Sequence, residues 1–207
     1  MTLQAIKGGL WIPPPPAWKA SGGTPGFVSF AIDAATEKFA FVFRAPKTGT
    51  LDKFEARLGT VASIGASVLR FSFQNVSGGD PDGTQDQYRD ISTGITSNAW
   101  LAPGLMTSDG TDGGSKRSVT VGDVICAVIE FQTFAGGASV EIAIMDDPPQ
   151  YLGFPYGTHY TGSWAKIYYK APLLALKYDD GTYEYIPSIM PASAMNTVAY
   201  NSGSTPD

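Results

Sequence analysis

The chain is predicted to be all-β: an antiparallel β-sandwich of jelly-roll-like form with an extended, proline-rich N-terminal arm. Three observations carry that expectation. Several segments alternate apolar and polar side chains with a period of two, the signature of a strand with one buried and one wet face. The 24 glycines and 15 prolines among 207 residues punctuate the chain often. No segment shows a persuasive 3.6-residue apolar stripe. About eight or nine strands without helices make a sandwich, and long crossovers between them make it a jelly roll.

The elements follow in order. Residues 27–32 and 38–44 are rich in aromatic and β-branched side chains. Residues 45–50 form a turn, where Pro46 and Gly49 supply fixed and permissive φ. From 51 to 58, Phe54, Ala56 and Leu58 alternate with Lys53, Glu55 and Arg57. In 67–73, Leu69, Phe71 and Phe73 point inward and Arg70 and Ser72 outward. A turn at Gly122-Asp123 leads into a long buried strand ending at Phe131. Val140, Ile142 and Ile144 then alternate with Ser139, Glu141 and Ala143. Residues 167–169 and 173–178 follow, the latter ending at Asp179-Asp180-Gly181, a hairpin turn into 182–186. Short helical turns are expected only at 33–38 and 91–100. The sandwich thus occupies 27–186, between an arm at 1–26 and a polar linker at 187–207.

Composition narrows the function. Apolar residues are 43% of the chain and charged ones 16%, which excludes a disordered protein. The net charge of −5, with no basic block, argues against a nucleic-acid partner. One cysteine and one histidine eliminate a disulfide framework and a Cys/His zinc cluster. They also disfavour a cupin-type metal site, which needs several histidines. No stretch approaches the roughly 18–20 apolar residues of a membrane span. The first nine residues lack the apolar core of a secretory signal. The expectation is a chain kept in the cytosol, or one leaving by a route other than the signal-peptide pathway.

At the N-terminus, Leu10-Trp11-Ile12 precedes Pro13 to Pro16 and Trp18. Four consecutive prolines fix φ and remove four amide donors, giving a polyproline II strut. It reads either as a linker over its own domain or as a partner-binding arm. In the second reading Leu10, Trp11, Ile12, Pro13 and Trp18 make the contacts, with Trp11 and Trp18 anchored in a neighbouring groove. Near the other end, Tyr185-Ile186-Pro187 and Ser202-Gly203-Ser204-Thr205-Pro206 echo Trp11-Ile12-Pro13 and Ser21-Gly22-Gly23-Thr24-Pro25. The echo is either shared turn chemistry or the threshold of a second, related module.

Candidate chemistry is sparse. Asp80, Asp82 and Asp86 in one loop, and residues 109–114 in another, offer hard oxygens of the kind calcium takes. The first loop is the better candidate, although Asp, Gly and Thr are what any surface turn contains. A loop-borne acid pair, Asp80 and Asp86, is the weakest of the functional readings, that of a hydrolase. His159 stands without a Gly-x-Ser-x-Gly elbow or a His-Glu-x-x-His run, so no catalytic residue and no cofactor is predicted. Tyr156, Tyr160 and Trp164, close to Tyr151 and Phe154, either close the sandwich end as core or stack on sugar rings. Cys126, between Ile125 and Ala127, is a small core residue.

The run from Phe39 to Leu58, paired with Val119 to Phe131, resembles the jelly-roll modules of tailed-bacteriophage virion proteins, including head-decorating and tail-fibre-associated components. Similar strand-turn-strand phrasing occurs in carbohydrate-binding modules of secreted enzymes. The resemblance spans roughly residues 27 to 145 and consists of turn-and-strand grammar. It implies a non-enzymatic virion component assembled in the host cytoplasm. Its implied partners are other virion proteins and further copies of itself, with a trimer favoured. The alternative it implies is a glycan-binding module for host-surface or polysaccharide recognition.

Overall fold

The computed structural model describes residues 28–146, 156–167 and 170–186. The arm residues Leu10, Trp11, Ile12, Pro13 and Trp18, the segment 187–207, Tyr151 and Phe154 lie outside the described residues. In chain order the strands are β1 (Val28–Ile32), β2 (Lys38–Arg44), β3 (Gly49–Ala62), β4 (Val68–Ser77) and β5 (Asp80–Ile91). Then come β6 (Trp100–Leu101), β7 (Ser118–Val119), β8 (Val124–Thr133), β9 (Ser139–Asp146) and β10 (Tyr156–Tyr160). The last are β11 (Trp164–Ile167), β12 (Lys170–Pro172), β13 (Leu174–Tyr178) and β14 (Tyr183–Ile186).

These strands form two antiparallel sheets packed face to face. The first runs β1-β9-β3-β13-β14, with β12 on β9 and β6 and β7 on β3. The second runs β11-β10-β2-β8-β4-β5. Up to β9 the chain keeps crossing between layers: β1 first, β2 second, β3 first, the β4–β5 hairpin second, β6 and β7 first, β8 second, β9 first. This wrapping is the jelly-roll-like sandwich expected from the sequence. It follows from the pleat, because each strand carries one apolar face that must meet the opposite layer.

The core sits between the layers. Phe39, Phe41 and Phe43 of β2, Leu69, Phe71 and Phe73 of β4, and Ile125, Ala127 and Ile129 of β8 point inward from the second sheet. They meet Phe54, Ala56 and Leu58 of β3, Val140, Ile142 and Ile144 of β9, and Leu174 and Leu176 of β13. Phe54 bridges the layers, its ring centroid 5.0 Å from that of Phe71 and 5.2 Å from that of Phe73.

β3 organises the first sheet. Beyond Leu58 it pairs with β9, where a bulge at Gly59-Thr60 is closed by the Glu141 carboxylate, which accepts from the Thr60 amide at 2.9 Å. Before that point β9 diverges and β12–β13 enters the fork. Leu173 marks the crossing: its amide donates to Ala143 of β9 and its carbonyl accepts from Arg57 of β3. Lys170 to Pro172 pair with β9, and Leu174 to Tyr178 with β3.

The segments expected to hold short helical turns do not contain helix. Ala34 to Glu37 is a hydrogen-bonded reverse turn, with Glu37 N–H donating to Ala34 O at 3.1 Å. Residues 92–99 are irregular, tied to β3 through Asn98 N–H to Gly59 O and Leu58 N–H to Ala99 O. Each is too short to nucleate a helix and is used instead to satisfy neighbouring backbone. Residues 80–86, read as an acidic loop, belong to strand β5, and Tyr156, Tyr160 and Trp164 lie on the β10–β11 hairpin.

Phe54→Ala should lower unfolding free energy by about 3–5 kcal/mol, since it removes the ring between the layers and leaves a cavity. Chemical denaturation monitored by tryptophan fluorescence checks this, and a loss below about 1 kcal/mol would contradict the bridging role.

Candidate functional site

The outer face of the second sheet is built in rows, because directly paired residues on neighbouring strands present side chains on the same side. One row is polar: Tyr160, Lys38, Glu130, Arg70 and Asp90. Lys38 pairs with Glu130, and Arg70 grips Asp90 through Nε and Nη2 at 2.7 and 2.8 Å. That bidentate hydrogen bonding holds the Arg70 pKa above its ordinary value, against the opposing effect of burial. Gln85 links the pairs, accepting from Arg70 and donating to Glu130, both at 3.2 Å.

The neighbouring rows are apolar. Ala40 and Val42 of β2 and Cys126 and Val128 of β8 lie on this outer face yet are fully buried. Their cover comes from Tyr156, Trp164 and Val76. The position of Val76 follows from the β4–β5 hairpin. Pairing of β4 with β8 ends at Gln74, and register shifts at Phe73/Gln74 and Gln74/Val76 bend the hairpin. Its tip is a two-residue Gly78-Gly79 turn, both residues at positive φ. Tyr156 OH donates to Gly79 O at 2.6 Å, and Lys166 Nζ donates to Gly78 O at 2.8 Å. In a flat sheet β4 would stand about 14 Å from β10, three strand spacings away. The contacts therefore require the tip to fold back across β8 and β2. Residues 74–86 form a strap over the outer face.

The three candidate calcium ligands belong to this strap, and their side chains are engaged separately. Asp80 accepts from Thr158 Oγ1 at 3.2 Å and faces Lys166 Nζ at 3.8 Å. Asp82 accepts from the Thr84 amide at 2.8 Å and stays exposed on β5. Asp86 accepts from Asn75 at 3.2 Å and from Arg117 Nη1 at 2.5 Å. Among the described residues no group of three or more His, Cys, Asp or Glu side chains is placed to hold a metal ion. Two of the three carboxylates serve as strap fastenings, and two cationic partners stand where a divalent cation would meet repulsion. In the other acidic loop, Asp109 accepts from the Thr111 amide and hydroxyl, which lower its pKa, and so shapes its own turn.

The aromatic trio is divided. Tyr156 is buried with its ring against the outer apolar cluster, so it presents no face for stacking. Tyr160 and Trp164 are half-buried, pair across β10 and β11, and lie 5.1 Å apart with ring planes at 60°. Cys126 is buried as expected, and burial pushes its thiol pKa far up.

His159 points the other way, between the layers. Its ring is edge-on to Phe30 at 4.3 Å, and Nε2 lies 3.5 Å from Glu37 Oε1, buried and without a hydrogen bond. Glu37 uses its other oxygen to accept from the amides of Asp33 and Ala34 at 2.7 and 3.2 Å. Burial lowers the His159 pKa, outweighing the carboxylates of Glu37 and Asp33. This is a packed neutral imidazole beside a capping carboxylate.

A feature the sequence reading missed lies on the outside of the first sheet. Glu55 is buried there, its Oε1 2.9 Å from Lys53 Nζ and accepting from Tyr183 OH at 3.1 Å, its Oε2 without a partner. Burial and the Glu55 charge push the Tyr183 hydroxyl up to about 12. Nearby, Lys116 and Lys177 approach Asp52 at 2.5 and 3.7 Å. In the sequence Lys53 and Glu55 read only as the wet side of an alternating strand; burial there depends on β14 arriving from the far end of the chain.

Comparison with protein-family models, with curated proteins and with solved structures finds no match to this chain. Among the described residues no helix is long and apolar enough to cross a membrane.

Because His159 is held neutral when folded, the unfolded chain binds a proton that the folded one resists. Stability should therefore fall as pH drops below about 6.5, where a free imidazole protonates. His159→Gln should flatten that dependence between pH 7.5 and 5.5 in denaturation midpoints. Equal slopes in both proteins would show that His159 does not set it.

Proposed function

We propose that this chain is a non-enzymatic structural module of a bacteriophage particle, a head-decorating or tail- or fibre-associated component joined to the particle through its N-terminal arm. The observation that supports this best is how the sandwich uses its charged side chains. Arg70, Glu130, Asp86, Arg117, Asp80 and Lys166 each bind another part of the same fold. Such cross-ties stiffen a body that presents its surface to neighbours. The setting comes from the strand-turn-strand resemblance in residues 39–58 and 119–131. A run of four prolines, Pro13 to Pro16, suits a clasp, since a sequence with fixed φ costs less entropy to order than a flexible one. Many copies, as trimers or along a lattice, would multiply weak individual contacts.

Deleting residues 1–20 should leave a folded domain, with unchanged circular dichroism, that no longer co-purifies with particles. Unchanged incorporation would refute the role of the arm.

A second reading, a glycan-binding module, is favoured by the half-buried Tyr160–Trp164 pair at the edge of the second sheet. Half-buried aromatic rings near a sheet edge can still offer part of a face to sugars of a host surface. Calorimetric titration with a polysaccharide panel separates the two readings. Saturable binding abolished by Trp164→Ala supports the glycan module, and absence of binding across the panel counts against it.

A further inference from the structure

We propose that the strap formed by residues 74–86 opens as a unit, hinged at the two β-bulges, and uncovers the outer apolar strip of β2 and β8 while the sandwich stays folded.

Four observations carry this. First, β4 leaves the backbone ladder of the second sheet after Gln74↔Cys126, so the strap beyond that point pairs only within its own hairpin. Second, the fastenings of the strap come from side chains: Tyr156 OH to Gly79 O, Lys166 Nζ to Gly78 O and Asp80, Thr158 Oγ1 to Asp80 Oδ1, and at its base Arg117 to Gln74 O and Asp86. They can be released without breaking a sheet ladder. Third, the cluster beneath is small and separate from the main core: Ala40, Val42, Cys126, Val128 and Tyr156. Loss of that contact would leave the interlayer packing intact. Fourth, the hinge is already irregular, with register shifts at Phe73/Gln74 and Gln74/Val76. Bulges are where a strand bends with least disruption of pairing.

Opening would lift Val76 off this cluster and open the outer face around the Cys126 thiol, while Tyr156 and Trp164 stay on β10 and β11. Regions of few apolar contacts and dispensable hydrogen bonds open at lower free energy than the whole domain.

Cys126 is the only cysteine in the chain, so it reports on the strap without background. The experiment is labelling of the full chain with an aromatic disulfide reagent at pH 8, as a function of denaturant well below the unfolding transition. The expected result is slow labelling whose rate depends only weakly on denaturant, since little surface is exposed. Lys166→Met, which removes the contacts to Gly78 O and Asp80, and Tyr156→Phe, which removes the contact to Gly79 O, should each accelerate labelling by about tenfold with no comparable change in global unfolding. Labelling with the full denaturant dependence of global unfolding would overturn the proposal. So would folded latch variants that label at the wild-type rate. If a variant fails to fold, the denaturant dependence of the wild-type chain decides alone.

Discussion

The central strands of the second sheet are apolar on both faces, and much of the structure answers that constraint. In β2 the inward Phe39, Phe41 and Phe43 alternate with outward Ala40 and Val42; in β8 the inward Ile125, Ala127 and Ile129 alternate with outward Cys126 and Val128. A strand pair of this kind needs two covers. The first sheet supplies one. The other is assembled locally from the bent β4–β5 hairpin and the β10–β11 hairpin, fastened to each other by Tyr156, Thr158 and Lys166. Small residues on the outer side, Ala40 and Cys126 among them, let that second layer lie close.

Charge is arranged around this apolar centre. The row from Lys38 through Glu130 and Arg70 to Asp90 alternates sign across four strands, which ties neighbouring strands and disfavours slipped registers that would bring like charges together. On the opposite sheet Lys53, Glu55 and Tyr183 form a smaller, buried group. Truncating a member of that group would leave others desolvated, so its value lies as much in specifying the β3–β13–β14 alignment as in net stability. A domain tied in this way is stiff, which suits the presenting role proposed for it.

Much of the fold could be read from the chain. The strands with clean alternation, such as β3 and β9, and the aromatic runs of β2 and β4 were placed close to their observed positions, because burial on one face imposes the period. β5 was not, for a physical reason. Asp80-Pro81-Asp82-Gly83-Thr84-Gln85-Asp86 has poor intrinsic β-propensity, and it becomes a strand only because β4 offers it an edge. The one local cue was Gly78-Gly79, a dipeptide suited to a two-residue hairpin turn. β10 was hidden similarly, its aromatic and small residues reading as loop until paired with β2. At the candidate sites, the burial of Cys126 followed from its apolar neighbours. The separate duties of Asp80, Asp82 and Asp86 depend on long-range partners, Thr158, Lys166 and Arg117, that no local spacing reveals.

The fork filled by β12 and β13 bears on how the chain comes off the ribosome. Phe54 and Leu176 pair although more than a hundred residues separate them. Half of the β3 edge consequently waits, with open amides, until nearly the whole domain has been synthesised. Loop closure over such a distance is slow compared with hairpin formation. During that interval the nascent first sheet presents a template for foreign strands, which prompt arrival of β13 and β14 would close.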